Sequence, residues 1–421
     1  MTPAEIVAQS AQTVQTRIPV HRVETVADVV ARVSEAPAHA PFGERLIEFG
    51  AEFSRRLARK ARGHSELQAL AFWMRRAELV RMKSEFDGLA GDRTTLMPRG
   101  TVVHFPPANV DTIFIYSWLI SLICGNRNIV RLSSRGTEQT ELLISVILEL
   151  AADPEFAEVV ASTAMVTYPH NDAITEEISA SADLRVIWGG DGSVRSIRRA
   201  SLAPHATDLT FPDRVSLACL DAAAVDRLDA EQLDELASRF YNDAYWFDQL
   251  GCSSPRTIVW VGNAADAAAA SARFFDALFA VTVRKGLKVE VGTAISKMTY
   301  GFSTPITHRV NSVHSRGNQI LVVEDTELGQ LPDGFVGAGT FHTARIDSLE
   351  ELTRIVGRRY QTLSHFGFSR ESLNALVAAL AGRGVDRMVP IGDALTFNRF
   401  WDGYDLFLSF TRYVYVDPGN G

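Results

Sequence analysis

Cysteine is scarce in this chain: Cys124, Cys219 and Cys252 are the three in 421 residues. So few and so far apart, they form neither a disulfide framework nor a CxxC metal knuckle, and no metal is expected. Their number fits a reducing compartment. Basic charge is also short, with 42 Lys and Arg against 50 Asp and Glu and a net charge of -8. No long basic run occurs, which argues against a nucleic-acid binder; Arg55, Arg56, Arg59, Lys60 and Arg62 read as the solvated face of a helix. The longest apolar run, Thr112 to Cys124, falls short of the ~20 residues that span a bilayer, so no membrane span is expected. The opening MTPAEIVAQSAQTVQTRIPV has neither a basic n-region nor an apolar h-region. A cytoplasmic location is therefore expected. Repeats and low-complexity tracts are missing apart from the Ala-rich stretch 264–272.

What is present is ordinary globular composition, 46% hydrophobic and 22% charged, in a chain long enough for two or three domains. Residues 42–86 read as helices, with Leu46, Phe49, Phe53 and Leu57 on one face, and Ser65 with Gln68 forms a capping box on paper. From Arg99 the pattern alternates. Strands are expected at 101–105, 128–132, 164–168 and 184–188, with helices at 112–124, at 138–151 capped by Thr137, and at 172–181. Such alternation implies a parallel, doubly wound sheet that binds ligands at the carboxyl ends of its strands. A second alternation follows: strands at 215–220, 257–261 and 319–323, and helices at 230–246, 264–283, 349–357 and 371–382. The fold class is α/β. The expected division is 1–215 (N-terminal helices and nucleotide-binding domain), 216–385 (thiol domain) and 386–421 (C-terminal segment), with 412–416 as an exposed or edge strand.

Four stretches could carry chemistry. In Gln249-Leu250-Gly251-Cys252-Ser253-Ser254-Pro255-Arg256 a thiol stands in a tight loop between helix and strand. It reads either as a nucleophile forming a thioester or as a small buried residue; Cys124 and Cys219 read as core. Asn109, just after the first strand, is either an oxyanion donor or a turn residue. Gly189, Gly190 and Gly192 with Ser193 join a strand to a helix, a phosphate-cradling turn or only a tight one, since the spacing is not GxGxxG. After the second strand come Arg131, Ser133 and Arg135, which lean toward a 2′-phosphate, with Glu138 nearby as the competing acid. His170 and His365 are candidate proton donors. The aromatic run Phe240, Tyr241, Tyr245, Trp246 and Phe247 is an acyl tunnel or core.

Five segments taken together, PPANV (106–110), GNRNIVRLSSR (125–135), VIWGGDGSV (186–194), QLGCSSPR (249–256) and RFWDGYDLFLSFTR (399–412), resemble the Lux-type fatty acyl-CoA reductase family, a branch of the aldehyde dehydrogenase superfamily. The resemblance implies an aldehyde dehydrogenase-like fold with a tail strand that adds to a neighbour's sheet in a homo-oligomer. It implies NADPH-dependent reduction of an acyl-CoA or carrier-bound acyl thioester to the aldehyde, with Cys252 as acyl-accepting nucleophile and Asn109 as oxyanion amide. An acyl-protein synthetase is the implied partner. Arg131, or Arg135 in a shifted alignment, falls where the superfamily contacts the adenosine ribose. Two departures stand out: Leu209-Thr210-Phe211 lacks the superfamily's water-activating glutamate, and no counterpart of its nicotinamide-ribose glutamate precedes 340–346. Rival readings are a CoA-acylating dehydrogenase working oxidatively, a reductase of acyl phosphates, and a non-catalytic scaffold.

Overall fold

The computed structural model describes residues 12–107, 112–134, 136–329 and 334–419. It divides into two units: Met1–Pro212 with Phe397–Phe400 and Tyr404–Gly421, and Asp213–Thr396 with Trp401–Gly403.

The strands of the first unit are Thr13–Ile18 (β1), Arg22–Thr25 (β2), Thr94–Pro98 (β3), Thr101–Phe105 (β4), Arg127–Arg131 (β5), Thr163–Thr167 (β6), Leu184–Trp188 (β7) and Thr207–Phe211 (β8). Its sheet runs β2-β1-β6-β5-β4-β7-β8. The five strands from β6 to β8 are parallel, and β1 joins them antiparallel through β6. β4 and β7 are buried along their whole length because helices cover both faces, so their sequences read as unbroken apolar runs rather than alternating ones. The helix Thr112–Ile123 is buried nearly all round. Thr137 caps the helix Glu138–Ala151 by accepting the Thr140 N–H. The capping box expected at Ser65 does not form: Ser65 Oγ donates to Glu66 and Gln68 Nε2 to the Ala58 carbonyl, so that helix begins without a side-chain cap.

The second unit contains Val215–Asp221 (β9), Pro255–Val261 (β10), Val310–Arg316 (β11), Ile320–Asp325 (β12), Thr340–Ile346 (β13), Tyr360–Phe366 (β14) and Arg387–Pro390 (β15), in the order β11-β12-β13-β10-β9-β14-β15. All are parallel except β11. A capping box of Asp229 with Gln232 opens the helix Ala230–Tyr245, whose apolar face, Leu236 and Phe240 included, packs with the helix Ala264–Arg284 over Phe341.

Three expectations change here. The boundary at 385 moves, because β15 is hydrogen-bonded to β14 and belongs to the second sheet. The helix expected at 349–357 is a 3₁₀ segment, Leu349–Arg354. The tail strand, Thr411–Tyr415, pairs antiparallel with β3 of its own chain, so one of its edges is already taken. Among the described residues no helix is long and apolar enough to cross a membrane.

Candidate active site

In the first sheet the chain leaves β4 toward β5 on one side and β7 on the other, and a cavity of about 500 Å³ opens at the carboxyl ends of these strands. That is the topological switch point, where doubly wound sheets take their ligands. Pro106, Arg131, Ser133, Gly189, Gly190 and Ser193 all line it. Gly189 has φ +153°, a conformation that disfavours a side chain, and a Cβ on Gly190 would meet nothing within 4 Å, so this wall stays open to an incoming ligand. Gly192 lies within the helix Asp191–Ile197 and outside the lining. The Arg131 guanidinium sits 5.1 Å from the Tyr168 ring centroid, and its buried Nε has no hydrogen-bond partner among the described residues. Glu138, the competing acid, is exposed at the first position of its helix and does not line the cavity. Asn109 and Arg135 lie outside the described residues. His170 reaches the rim, largely exposed and 3.8 Å from Asp172.

The thiol of the second unit stands at the opposite kind of edge, the amino ends of β9, β10 and β14. Its loop starts with three successive non-glycine residues in the left-handed region, Phe247 (φ 55°), Asp248 (φ 52°) and Gln249 (φ 63°). Such strain persists only where surrounding structure over-determines it. Here the buried Gln249 amide does so. Its Nε2 donates to the Pro255 and Thr340 carbonyls at 2.8 and 2.9 Å, and its Oε1 accepts from the Gly339 and Thr340 N–H groups at 3.0 and 3.2 Å. A turn closed by Ser254 N–H to the Gly251 carbonyl then carries Cys252. The Cys252 carbonyl accepts from Ser216 Oγ at 2.7 Å, and Ser216 Oγ accepts the Thr362 N–H at 3.1 Å, which ties the turn to β9 and β14.

From Ser253, next to Cys252 in the chain, runs a series of polar groups that the sequence reading did not single out. Ser253 Oγ donates to Gln361 Oε1 at 2.6 Å, and Gln361 Nε2 donates to Asp402 Oδ1. Asp402 is buried, with Arg214 Nη1 at 3.8 Å, and Arg214 also contacts Asp386. Burial pushes the Asp402 carboxyl up to about 6 against the pull of Arg214. Burial, helped by the Asp402 charge, pushes the Cys252 thiol up to about 12; hydrogen bonds from Gln361 and Ser253 and the Arg387 charge pull the other way. Desolvation outweighs these lowering contributions. Arg256 lies in β10 with its guanidinium 5.0 Å from the Phe335 ring. Asp402 was within reach of the sequence, since it stands in the RFWDGYD segment; nothing in the pattern pointed to Gln361.

Cys124 and Cys219 are fully buried, as expected of core, whereas Cys252 is only partly covered. The aromatic run resolves toward packing at Phe240 and Tyr245, which meet Phe341 in tilted and edge-on contacts in the second unit's core. His365 is half-buried at the end of β14, where burial lowers its pKa. Among the described residues no three His, Cys, Asp or Glu side chains gather as a metal site.

A profile of the family described as Acyl-CoA reductase (LuxC) matches residues 21–413. Long-chain acyl-protein thioester reductase 2 from Photobacterium leiognathi is 24% identical over 184 residues, 43% of this chain and 35% of that protein, so the match spans about a third of that relative's length. Among solved structures, aldehyde dehydrogenase 21 from Physcomitrella patens is similar with a TM-score of 0.63 and 11% identity, over 96% of this chain and 95% of its own. A putative aldehyde dehydrogenase from Burkholderia cenocepacia gives a TM-score of 0.63 and 15% identity, over 99% and 96%. The fold is therefore aldehyde dehydrogenase-like.

Proposed function

The chain belongs to the acyl-CoA reductase (LuxC) family, and from that premise we propose that it reduces an acyl thioester to the aldehyde through an acyl-enzyme on Cys252, with NADPH as reductant. The observation that carries this reading is the thiol itself: of three cysteines, only Cys252 is partly exposed, on a turn held by a fully bonded glutamine. The sulfur adds to the acyl carbonyl, the carbon–sulfur bond to the carrier breaks, and the carrier thiol leaves with the proton that Cys252 gives up. The backbone N–H of Cys252 and, by family resemblance, the Asn109 amide donate to the oxyanion.

The cavity at the end of β5 fits a nicotinamide dinucleotide, because it combines an open glycine wall with a buried arginine nitrogen that has no partner among the described residues. Such a cofactor, when bound, supplies the hydride that turns the acyl-enzyme into a thiohemiacetal, which collapses to aldehyde and free Cys252. Arginine rather than an acid at the end of β5 favours the 2′-phosphorylated form. The carrier is CoA or an acyl-protein thioester, the class named in the Photobacterium relative, with an acyl-protein synthetase as the implied donor. An apolar stripe on the helix Val291–Thr307 (Val291, Ile295, Met298, Phe302 and Ile306, all more than half exposed) supports assembly of several copies.

The test is incubation with a long-chain acyl-CoA without cofactor. A stable mass gain localised to Cys252, discharged as aldehyde on adding NADPH and missing in Cys252→Ala, is the expected result. No mass gain, or steady release of free acid, refutes the mechanism.

A further inference from the structure

The turn that grips the thiol loop is itself strained. Gly337, Ala338 and Gly339 have φ of +76°, +50° and +79°, facing the left-handed run of Phe247, Asp248 and Gln249 on the loop. The two meet backbone to backbone: the Ala338 N–H donates to the Asp248 carbonyl at 2.9 Å, and the Gly339 and Thr340 N–H groups donate to Gln249 Oε1. A Cβ on Gly337 would come within 2.7 Å of the Asp248 carbonyl oxygen, so the approach leaves no room for a side chain. Ala338 turns its N–H to the loop and its carbonyl to Lys297. This lysine of the helix Val291–Thr307 is 4% exposed, and its Nζ donates to the Ala338, Asn318 and Gln319 carbonyls at 2.6, 2.9 and 3.1 Å. An ammonium has three N–H donors and no acceptor, so every proton is spent on a main-chain carbonyl. The Gln319 carbonyl also accepts from Tyr245 Oη at 3.2 Å, at the end of the helix that leads into the thiol loop.

We propose that Lys297 is a positioning residue for Cys252: its ammonium clamps the 337–339 turn, and through that turn it fixes the thiol loop for attack on the acyl carbonyl. This rests on Cys252 being the nucleophile. Two left-handed triplets in contact carry strain that persists only where other contacts over-determine it. Gln249 does so on the loop, and Lys297 does so on the turn, with three bonds from a single group. Without the ammonium the three carbonyls lose their shared donor at once. The turn then relaxes, and the N–H groups that hold Asp248 and Gln249 move with it. Burial pulls the lysine down to about 8, so at pH 7 the charged form, with all three protons, predominates.

Lys297→Met keeps the apolar stem and removes the three donors. The full chain is read at pH 7 in two ways. Amide exchange by mass spectrometry should quicken about tenfold or more in peptides covering 247–256 and 337–340, the scale of bonds lost from a charged group, while peptides of β4 to β7 match the wild type. Acylation by a long-chain acyl-CoA, followed by intact mass, should fall on the order of ten- to a hundredfold in its limiting rate, with little change in the acyl-CoA concentration that half-saturates it, as displacement of a reacting atom does. A merely structural lysine would leave that rate unmoved in the folded variant. A cavity of about 240 Å³ beside Lys297, lined also by Met298, Phe302 and Leu321, gives small amines access. In Lys297→Ala, butylammonium should therefore restore the acylation rate in a saturable way, whereas butanol, with one donor, should not. This variant, prepared in the amine and then freed of it, also serves if Lys297→Met does not fold. Unchanged exchange in both peptides, quickened exchange with acylation at the wild-type rate, or rescue by the alcohol as well as the amine overturns the proposal. Failure of the wild type itself to acylate would refute the nucleophile reading, while the exchange data still judge the clamp.

Discussion

His104 offers a direct test of how the floor of the β4–β7 cavity is held. It is fully buried on β4. Its Nδ1 lies 2.8 Å from Ser117 Oγ and its Nε2 3.0 Å from Asn128 Oδ1. Ser117 Oγ also accepts from Trp188 Nε1 at 3.1 Å, and Trp188 lines the cavity. Asn128 Oδ1 can only accept here, because its Nδ2 donates to the Asn126 carbonyl, so Nε2 carries the proton and Nδ1 accepts from Ser117. Every partner suits a neutral imidazole. A second proton would face the Ser117 hydroxyl donor. Burial accordingly pushes His104 from 6.5 down to about 4. A depressed histidine contributes stability that is present above its unfolded pKa and is lost as pH falls through the folded one. Between pH 7.5 and pH 5 the linkage costs the wild type about 2 kcal/mol, at 1.36 kcal/mol per tenfold difference in proton affinity. His104→Gln has no titrating ring and should lack that increment. Urea unfolding followed by tryptophan fluorescence at pH 7.5, 6.5, 5.5 and 5.0 measures it as the wild-type curve falling faster than the variant's. Parallel pH dependence in the two proteins would refute the neutral-histidine network.

The other predictions are brief. Arg131→Ala should erase a preference for NADPH over NADH of about ten- to a hundredfold while sparing NADH, the scale of a charge-assisted bond to phosphate; steady-state kinetics with both nucleotides decide it. Asn109→Ala should lower kcat by about a hundredfold or more with little change in KM, and an effect confined to KM would make Asn109 a turn residue. Asp243 accepts the Gly392 and Ala394 N–H groups at 2.7 and 2.9 Å, and burial lifts its carboxyl to about 7. Asp243→Asn turns an amide donor toward one of those N–H groups and should cost about 1–3 kcal/mol. Because the folded pKa is raised, the titration-linked stability from Asp243 is complete below 3.8 and lost as pH rises through about 7, so denaturation curves should show the variant's deficit shrinking over that interval.

How much was legible depended on which force fixed each element. β4, β7 and β9 were readable because strands covered on both faces must be apolar throughout. The hairpin β1–β2 was not, since TVQTRI buries only alternate residues and its polar positions look like loop. The Ser65 box failed because Gln68 found a better acceptor in the preceding helix, a tertiary choice that a four-residue pattern cannot encode. At the site, Cys252 was visible through its glycine-led turn. Gln361 was not, because a buried glutamine on a strand carries no spacing signature; its meaning comes from Asp402, which loops back from a segment split between the two units. Nor did the carboxyl-end rule help with the second sheet, where the thiol sits at the amino ends because its turn precedes β10 rather than following it.

The resting state of the thiol connects these observations. Burial and the Asp402 charge hold the Cys252 thiol well above its ordinary range, so at neutral pH it rests as the thiol and is poorly reactive toward oxidants, which attack thiolates. An acyl-enzyme awaiting hydride must also escape hydrolysis, which is slow where no positioned base activates water. A hydrolytic enzyme relies on a carboxylate base for water, and by the family resemblance Thr210 falls where that glutamate would stand and offers no carboxylate. On that reading the attack is helped without a general base that would also serve water: the proposed oxyanion donors, the Cys252 backbone N–H and the Asn109 amide, stabilise the tetrahedral anion yet cannot deprotonate water.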